Sequence, residues 1–186
     1  MKIEFKKGEW EQFFTHAYCC RFPQRPLFFQ GRNYISNREN PNMADGFDYT
    51  TIITHEKYGK GTKIKLECSF EKYGAPLITL TDEVLNGVYK NYHEVVLWEN
   101  GINVWHLSEI DGKMQIKKLA SIPFKVDSSI HSLCVEILEN GIKAKAMEHE
   151  IYLRIENLPS EVFVGLTACE NINRFYSVTI ENEGAK

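Results

Sequence analysis

The segment Tyr92–Glu109 reads YHEVVLWENGINVWHLSE and sets an Asn-Gly pair, Asn100–Gly101, between two runs of strand-forming residues. Asn-Gly flanked in this way is the strongest short-range signal for a β-hairpin. A two-residue turn at Asn100–Gly101 predicts a register in which Glu99 faces Ile102, Trp98 faces Asn103, Val96 faces Trp105, Glu94 faces Leu107 and Tyr92 faces Glu109. Side chains alternate between the faces of a strand. One face then carries His93, Val95, Leu97, Ile102, Val104 and His106 and is mostly apolar. The other carries Tyr92, Glu94, Val96, Trp98, Asn103, Trp105, Leu107 and Glu109. Indoles beside carboxylates and an amide on an open sheet suit carbohydrate: sugar C–H faces stack on the rings, and hydroxyls bond to the acids and amides. The competing reading is that both faces of the hairpin are covered and that Trp98 and Trp105 are core.

Similar runs recur along the chain, bounded by Gly, Pro, Asn and Asp. They are 49–55, 62–70, 76–82, 92–99, 102–109, 114–119, 131–138, 142–148, 150–156, 161–169 and 174–181. A second Asn-Gly pair, Asn140–Gly141, predicts a second hairpin, and Asp111–Gly112 marks a third turn. In 62–70, Ile64, Leu66, Cys68 and Phe70 alternate with Lys63, Lys65, Glu67 and Ser69, the pattern of a strand with one buried and one wet face. In 76–82, Ile78 and Leu80 alternate with Leu77, Thr79 and Thr81. If this strand neighbours the hairpin, Thr79 and Thr81 add hydroxyls to the wet face. Many short strands with turns between them predict an all-β sandwich or barrel. Residues 9–18 read as a short helix or a first strand, and 21–47 as long loops.

The chain has 186 residues, 43% hydrophobic and 25% charged, and reads as one globular domain over 1–186. A formal charge of −3 and a pI near 6.1, with no basic cluster, argue against nucleic acid as a partner. No apolar run approaches the roughly 20 residues that cross a bilayer, so no membrane is expected. The first residues, MKIEFKKGEWEQFF, lack an apolar signal core, and the expected location is the cytoplasm. The five cysteines, Cys19, Cys20, Cys68, Cys134 and Cys169, are odd in number and form no CxxC, which agrees with a reducing compartment.

Other chemistry weighs less. His149 sits between two glutamates, and His93 and His106 lie near each other across the hairpin. With no HxxxH or HExxH spacing, no metal site is expected, and the pair reads as hydrogen-bonded residues at the edge of the core. Asn37–Asp48 is rich in oxygen ligands and is a candidate for structural calcium, although its spacing is not that of an EF-hand and a solvated turn region is the simpler reading. Lys57–Lys63 (KYGKGTK) lacks the GK[ST] ending of a phosphate loop and reads as a hairpin turn. No G-x-S-x-G elbow occurs.

The segment APLITLTDE followed by YHEVVLW resembles the central strands of concanavalin A-like jelly rolls. YHEVVLWENGIN is similar to a strand of the farnesoic-acid-methyltransferase-like and keto-disaccharide hydrolase-like domains, and VFVGLTACENINRFYSVTIE resembles the closing strands of such domains. The resemblance covers roughly residues 49–181. It implies a two-sheet antiparallel jelly-roll sandwich whose concave sheet holds a ligand cleft, with Glu94 pointing into it. The E-x-D-x-x-E strand of laminarinase-like members is absent. Retaining hydrolysis needs two carboxyl groups about 5 Å apart and inversion somewhat more. In the predicted register Glu94 and Glu109 are diagonal neighbours that approach this range.

Three functions follow. The first is a carbohydrate-binding, lectin-like protein for an oligosaccharide or other small glycan. It would use Tyr92, Trp98 and Trp105 for stacking and Glu94, Asn103, Glu109, Thr79 and Thr81 for hydrogen bonds. The second is a glycoside hydrolase-like enzyme with Glu94 as acid or base and Glu109 as a candidate second group. The third is a protein-interaction domain whose aromatic face forms an interface, as in a homodimer. None of them calls for a cofactor.

Overall fold

The structure, a computed structural model, describes residues 1–19, 27–37 and 49–182. Among these, sixteen strands form. They are β1 (Lys2–Glu4), β2 (Phe14–Cys19), β3 (Phe29–Gln30), β4 (Ile35–Ser36), β5 (Tyr49–Gly59), β6 (Thr62–Phe70), β7 (Ala75–Thr81), β8 (Val88–Tyr89), β9 (Asn91–Trp98), β10 (Gly101–Ile110), β11 (Lys113–Pro123), β12 (His131–Leu138), β13 (Gly141–Ala146), β14 (His149–Arg154), β15 (Glu161–Cys169) and β16 (Asn173–Asn182). Between β1 and β2, Trp10–Gln12 make one 3-10 turn, so 9–18 holds both a helical turn and a strand.

The strands make two sheets. The back sheet runs β14-β13-β12-β6-β16-β4-β3, with β1 also on β16; the front sheet runs β11-β10-β9-β7-β15-β5-β2-β8. Pairing is antiparallel except for the short β2–β8 contact. This is an all-β sandwich, as the recurring short strands predicted, with the two-sheet jelly-roll arrangement that the resemblance implied. Ile64, Leu66 and Cys68 of the back sheet meet Ile78, Leu80, Val95, Leu97, Ile102 and Val104 of the front sheet in a dry core. Strands β1 and β8 escape a sequence reading, because two or three residues carry no usable period.

The Tyr92–Glu109 hairpin forms, with its turn one residue earlier than predicted. Glu99 and Asn100 make the turn, and Gly101 already pairs with Trp98. Asn103 therefore faces Val96, Trp105 faces Glu94 and Leu107 faces Tyr92. The second Asn-Gly pair behaves alike: Glu139 and Asn140 turn, and Gly141 pairs with Leu138. Close approach explains both shifts. A Cβ on Gly101 would stand 2.0 Å from the carbonyl oxygen of Ile122, and one on Gly141 2.0 Å from that of Leu153. Each glycine serves the strand on its far side rather than the turn. The slip moves every pair by two residues, so each side chain keeps its predicted face. Lys60–Gly61 turn between β5 and β6, which makes KYGKGTK a hairpin connection.

Candidate functional site

The front sheet has a second apolar cluster on the side away from the sandwich core. Ile53, Ala75, Leu77, Val96, Leu107 and Cys169 belong to it, and Trp98 and Trp105 pack against it. Neither indole lies between the sheets. The two line an open cleft of about 360 Å³ together with Tyr49, Glu94, Asn103, Lys118 and Glu170.

Cross-strand pairing lays these groups out in rows. One row runs Lys118, Trp105, Glu94, Thr79, Gly165 across β11, β10, β9, β7 and β15. The next holds Asn103 beside Val96. A third brings Cys169 between Ala75 and Tyr49. Glu94 is 3% exposed on the floor of the cleft. Tyr49 Oη donates to its Oε2 at 3.3 Å. Burial, and next the Glu94 charge, hold the Tyr49 phenol well above its usual pKa, so it stays a donor. Ser121 Oγ donates to Asn103 Oδ1 at 2.8 Å, which fixes the amide. The Lys118 ammonium sits 4.7 Å from the centre of the Trp105 ring. Trp98 Nε1 is buried and finds no acceptor among the described residues.

The other predicted residues are placed differently. Thr79 and Thr81 share the face of Glu94 but are buried. Thr79 Oγ1 lies 3.0 Å from Thr167 Oγ1, which lies 2.8 Å from Thr51 Oγ1, and Tyr89 Oη caps that chain at 3.0 Å. Thr81 Oγ1 donates to the carbonyl of Asn91 at 2.8 Å. Neither threonine adds a hydroxyl to the cleft, because the aromatic rings of β8 and β9 roof this end of the face. Tyr92 is one of those rings: it is 1% exposed and meets Tyr89 edge-on with centroids 4.8 Å apart. It offers no stacking surface.

Glu109 is the larger correction. With the observed register it stands four residues along β10 from the partner of Glu94, about 13 Å away on an extended strand. Its carboxylate pairs with Lys90 at 2.7 Å, and it does not line the cleft. Glu94 and Glu109 are not a carboxylate pair. The cleft instead holds Glu170, which follows β15 in a turn, where no strand pattern marks it.

The histidines lie elsewhere. His93 and His106 are direct partners on the core side, stacked with centroids 4.5 Å apart, and His106 Nε2 bonds Asn91 Oδ1 at 2.8 Å. His149 stacks on Phe124 at 4.1 Å. Among the described residues no three metal-ligating side chains cluster. Of the calcium candidate Asn37–Asp48, only Asn37 is described. Its amide donates to the carbonyls of Glu170 and Asn171, and its Oδ1 accepts from the backbone of Asn173. The rest of that segment, and Cys20, lie outside the described residues.

Two curled antiparallel sheets with the cleft on the face of one define the concanavalin A-like jelly-roll fold. No protein-family model matches the chain, and no curated protein matches it. Solved structures do. The carbohydrate-binding module CBM66 from Bacillus subtilis superposes with a TM-score of 0.67 at 13% identity, covering 91% of this chain and 95% of that one. An immunostimulatory antigen and pseudo β-1,3-glucanase of Mycobacterium tuberculosis gives 0.65 at 11%, over 98% of both chains. A β-glucanase of Bacillus licheniformis gives 0.63 at 10%, again over 98% of both. At these identities the likeness is one of fold.

Proposed function

We propose that this protein binds a glycan in the cleft of the front sheet without hydrolysing it. The observation that carries this reading is the placement of Glu94. It is a buried carboxylate on the cleft floor, oriented by Tyr49 and directly beside the indole of Trp105. A sugar ring on that indole presents hydroxyls to Glu94 on one side and to Asn103 in the adjoining row. Apolar walls with a few convergent polar groups are the usual make-up of a small-molecule site. Both binding and glucan-processing proteins occur among the structural neighbours, so the choice rests on the carboxylates. Hydrolysis on two carboxyl groups requires them roughly 5–9.5 Å apart. Among the described residues Glu109 is distant and ion-paired, and Glu170 lies five residues further along the sheet than Glu94, two strands over. This favours binding.

The test is intrinsic tryptophan fluorescence, titrated with gluco-, manno- and xylo-oligosaccharides, on wild type, Trp105→Ala and Glu94→Gln. The expected result is a saturable change with one series, weakened at least about tenfold in both variants, as for loss of a stacking contact or a charge-assisted hydrogen bond. The bound sugar stays intact on prolonged incubation. Absence of any response, or unchanged affinity in Trp105→Ala, overturns the reading; release of reducing ends restores the hydrolase.

A further inference from the structure

Glu170 is an odd residue to find at a strand end. Its φ is +65°, a left-handed conformation that costs a side-chain-bearing residue free energy and that glycine adopts freely. Three hydrogen bonds of the buried Asn37, to the carbonyls of Glu170 and Asn171 and from the backbone of Asn173, hold the turn in this shape. The carboxyl group lines the cleft and is half-buried there, and that burial raises its pKa. Glu170 is thus strained and partly desolvated, in a backbone conformation that glycine adopts freely.

Lys118 occupies the opposite corner. It stands on β11, in the row of Glu94, whereas Glu170 stands beyond the Cys169 row on β15. By strand and residue count the two backbone positions are about 25 Å apart on a flat sheet, and less on a curled one. The two residues thus stand at opposite ends of the one cleft they both line, further apart at the backbone than one sugar ring is wide.

Building on the glycan-binding reading, we propose that Lys118 and Glu170 hold different units of one oligosaccharide. The ligand then lies diagonally from Trp105 to Trp98 over Asn103, and the protein selects for chain length. Lys118 leaves the Trp105 face when a ring stacks there and donates to that ring's hydroxyls. Glu170 accepts from hydroxyls of a unit two or more residues away.

The experiment is isothermal titration of wild type, Lys118→Ala, Glu170→Gln and Glu170→Gly with laminari-, cello-, manno- and xylo-oligosaccharides of one to six units. Wild-type affinity should rise at least about tenfold from monosaccharide to tetrasaccharide in the series that binds. Glu170→Gln should remove most of that rise and leave the monosaccharide unchanged, whereas Lys118→Ala should weaken every length. Glu170→Gly separates function from folding. It should melt no lower than wild type, because the strain is relieved, yet lose the same length dependence. Equal affinity for all lengths, or a silent Glu170→Gln, overturns the proposal while glycan binding stands. Binding to no member of any series overturns both.

Discussion

Tyr49 Oη reaches Glu94 Oε2 at 3.3 Å although their strands, β5 and β9, are three places apart in the front sheet. Three strand spacings amount to about 14 Å on a flat sheet, and Tyr49 also stands two rows from Glu94, a separation greater than the two side chains span. The contact requires a sheet curled toward this face, and so it records the concavity of the cleft. It also ties the first long strand to the centre of the site. Tyr49→Phe should cost about 1–2 kcal/mol, since a buried carboxylate loses a donor. Urea denaturation should show a lower midpoint with an unchanged slope.

The Tyr49, Tyr89 and Tyr92 phenols are all buried, and burial is the largest cause raising each of their pKa values. Of the nine tyrosines in the chain, these three should stay silent in a spectrophotometric titration through pH 11. They should ionise only as the protein unfolds. Reversible titration of all nine below pH 11 would contradict their burial.

His93 gives the fold an acid weakness. Burial, and next its stacked neighbour His106, push the His93 pKa down to about 4 from 6.5. The folded state therefore binds fewer protons than the unfolded chain below pH 6.5. Stability is unaffected above that value, falls as pH drops toward 4, and levels off below it. The loss is about 3 kcal/mol for this shift. His106, lowered by burial and then by Lys117, adds in the same direction. His93→Phe keeps a ring on the stack and removes one titration. Its stability curve between pH 7 and 4 should be flatter than that of wild type.

Gly101→Ala and Gly141→Ala should each destabilise by more than about 2 kcal/mol. The added methyl meets a strand carbonyl at a distance that only backbone displacement relieves, at a φ of +123° or +156°. Asn100→Ala, in the turn itself, should cost less. Thermal melts of the three variants give the order directly. A milder effect at Gly101 than at Asn100 would place the demand back in the turn.

Period-two alternation and turn residues reveal most of the long strands, because both are local. They also reveal which hairpin residues share a face, since a two-residue slip of register leaves parity untouched. They do not fix the slip. That depends on the carbonyls of Ile122 and Leu153, which belong to strands the glycines meet only in the folded sheet. This is why Glu94 and Glu109 look like neighbours in the sequence and are not.

The sequence by itself determined an all-β chain, the Asn-Gly hairpins, and a face bearing Glu94, Trp98, Asn103 and Trp105. Each follows from side-chain direction along one or two adjacent strands. Only the tertiary structure decided that this face looks outward, that Thr79, Thr81 and Tyr92 are sealed beneath it, and that Tyr49, Lys118 and Glu170 complete the cleft. Those three come from β5, β11 and the turn after β15. Sheet order and curl bring them together, and no spacing along the chain encodes either.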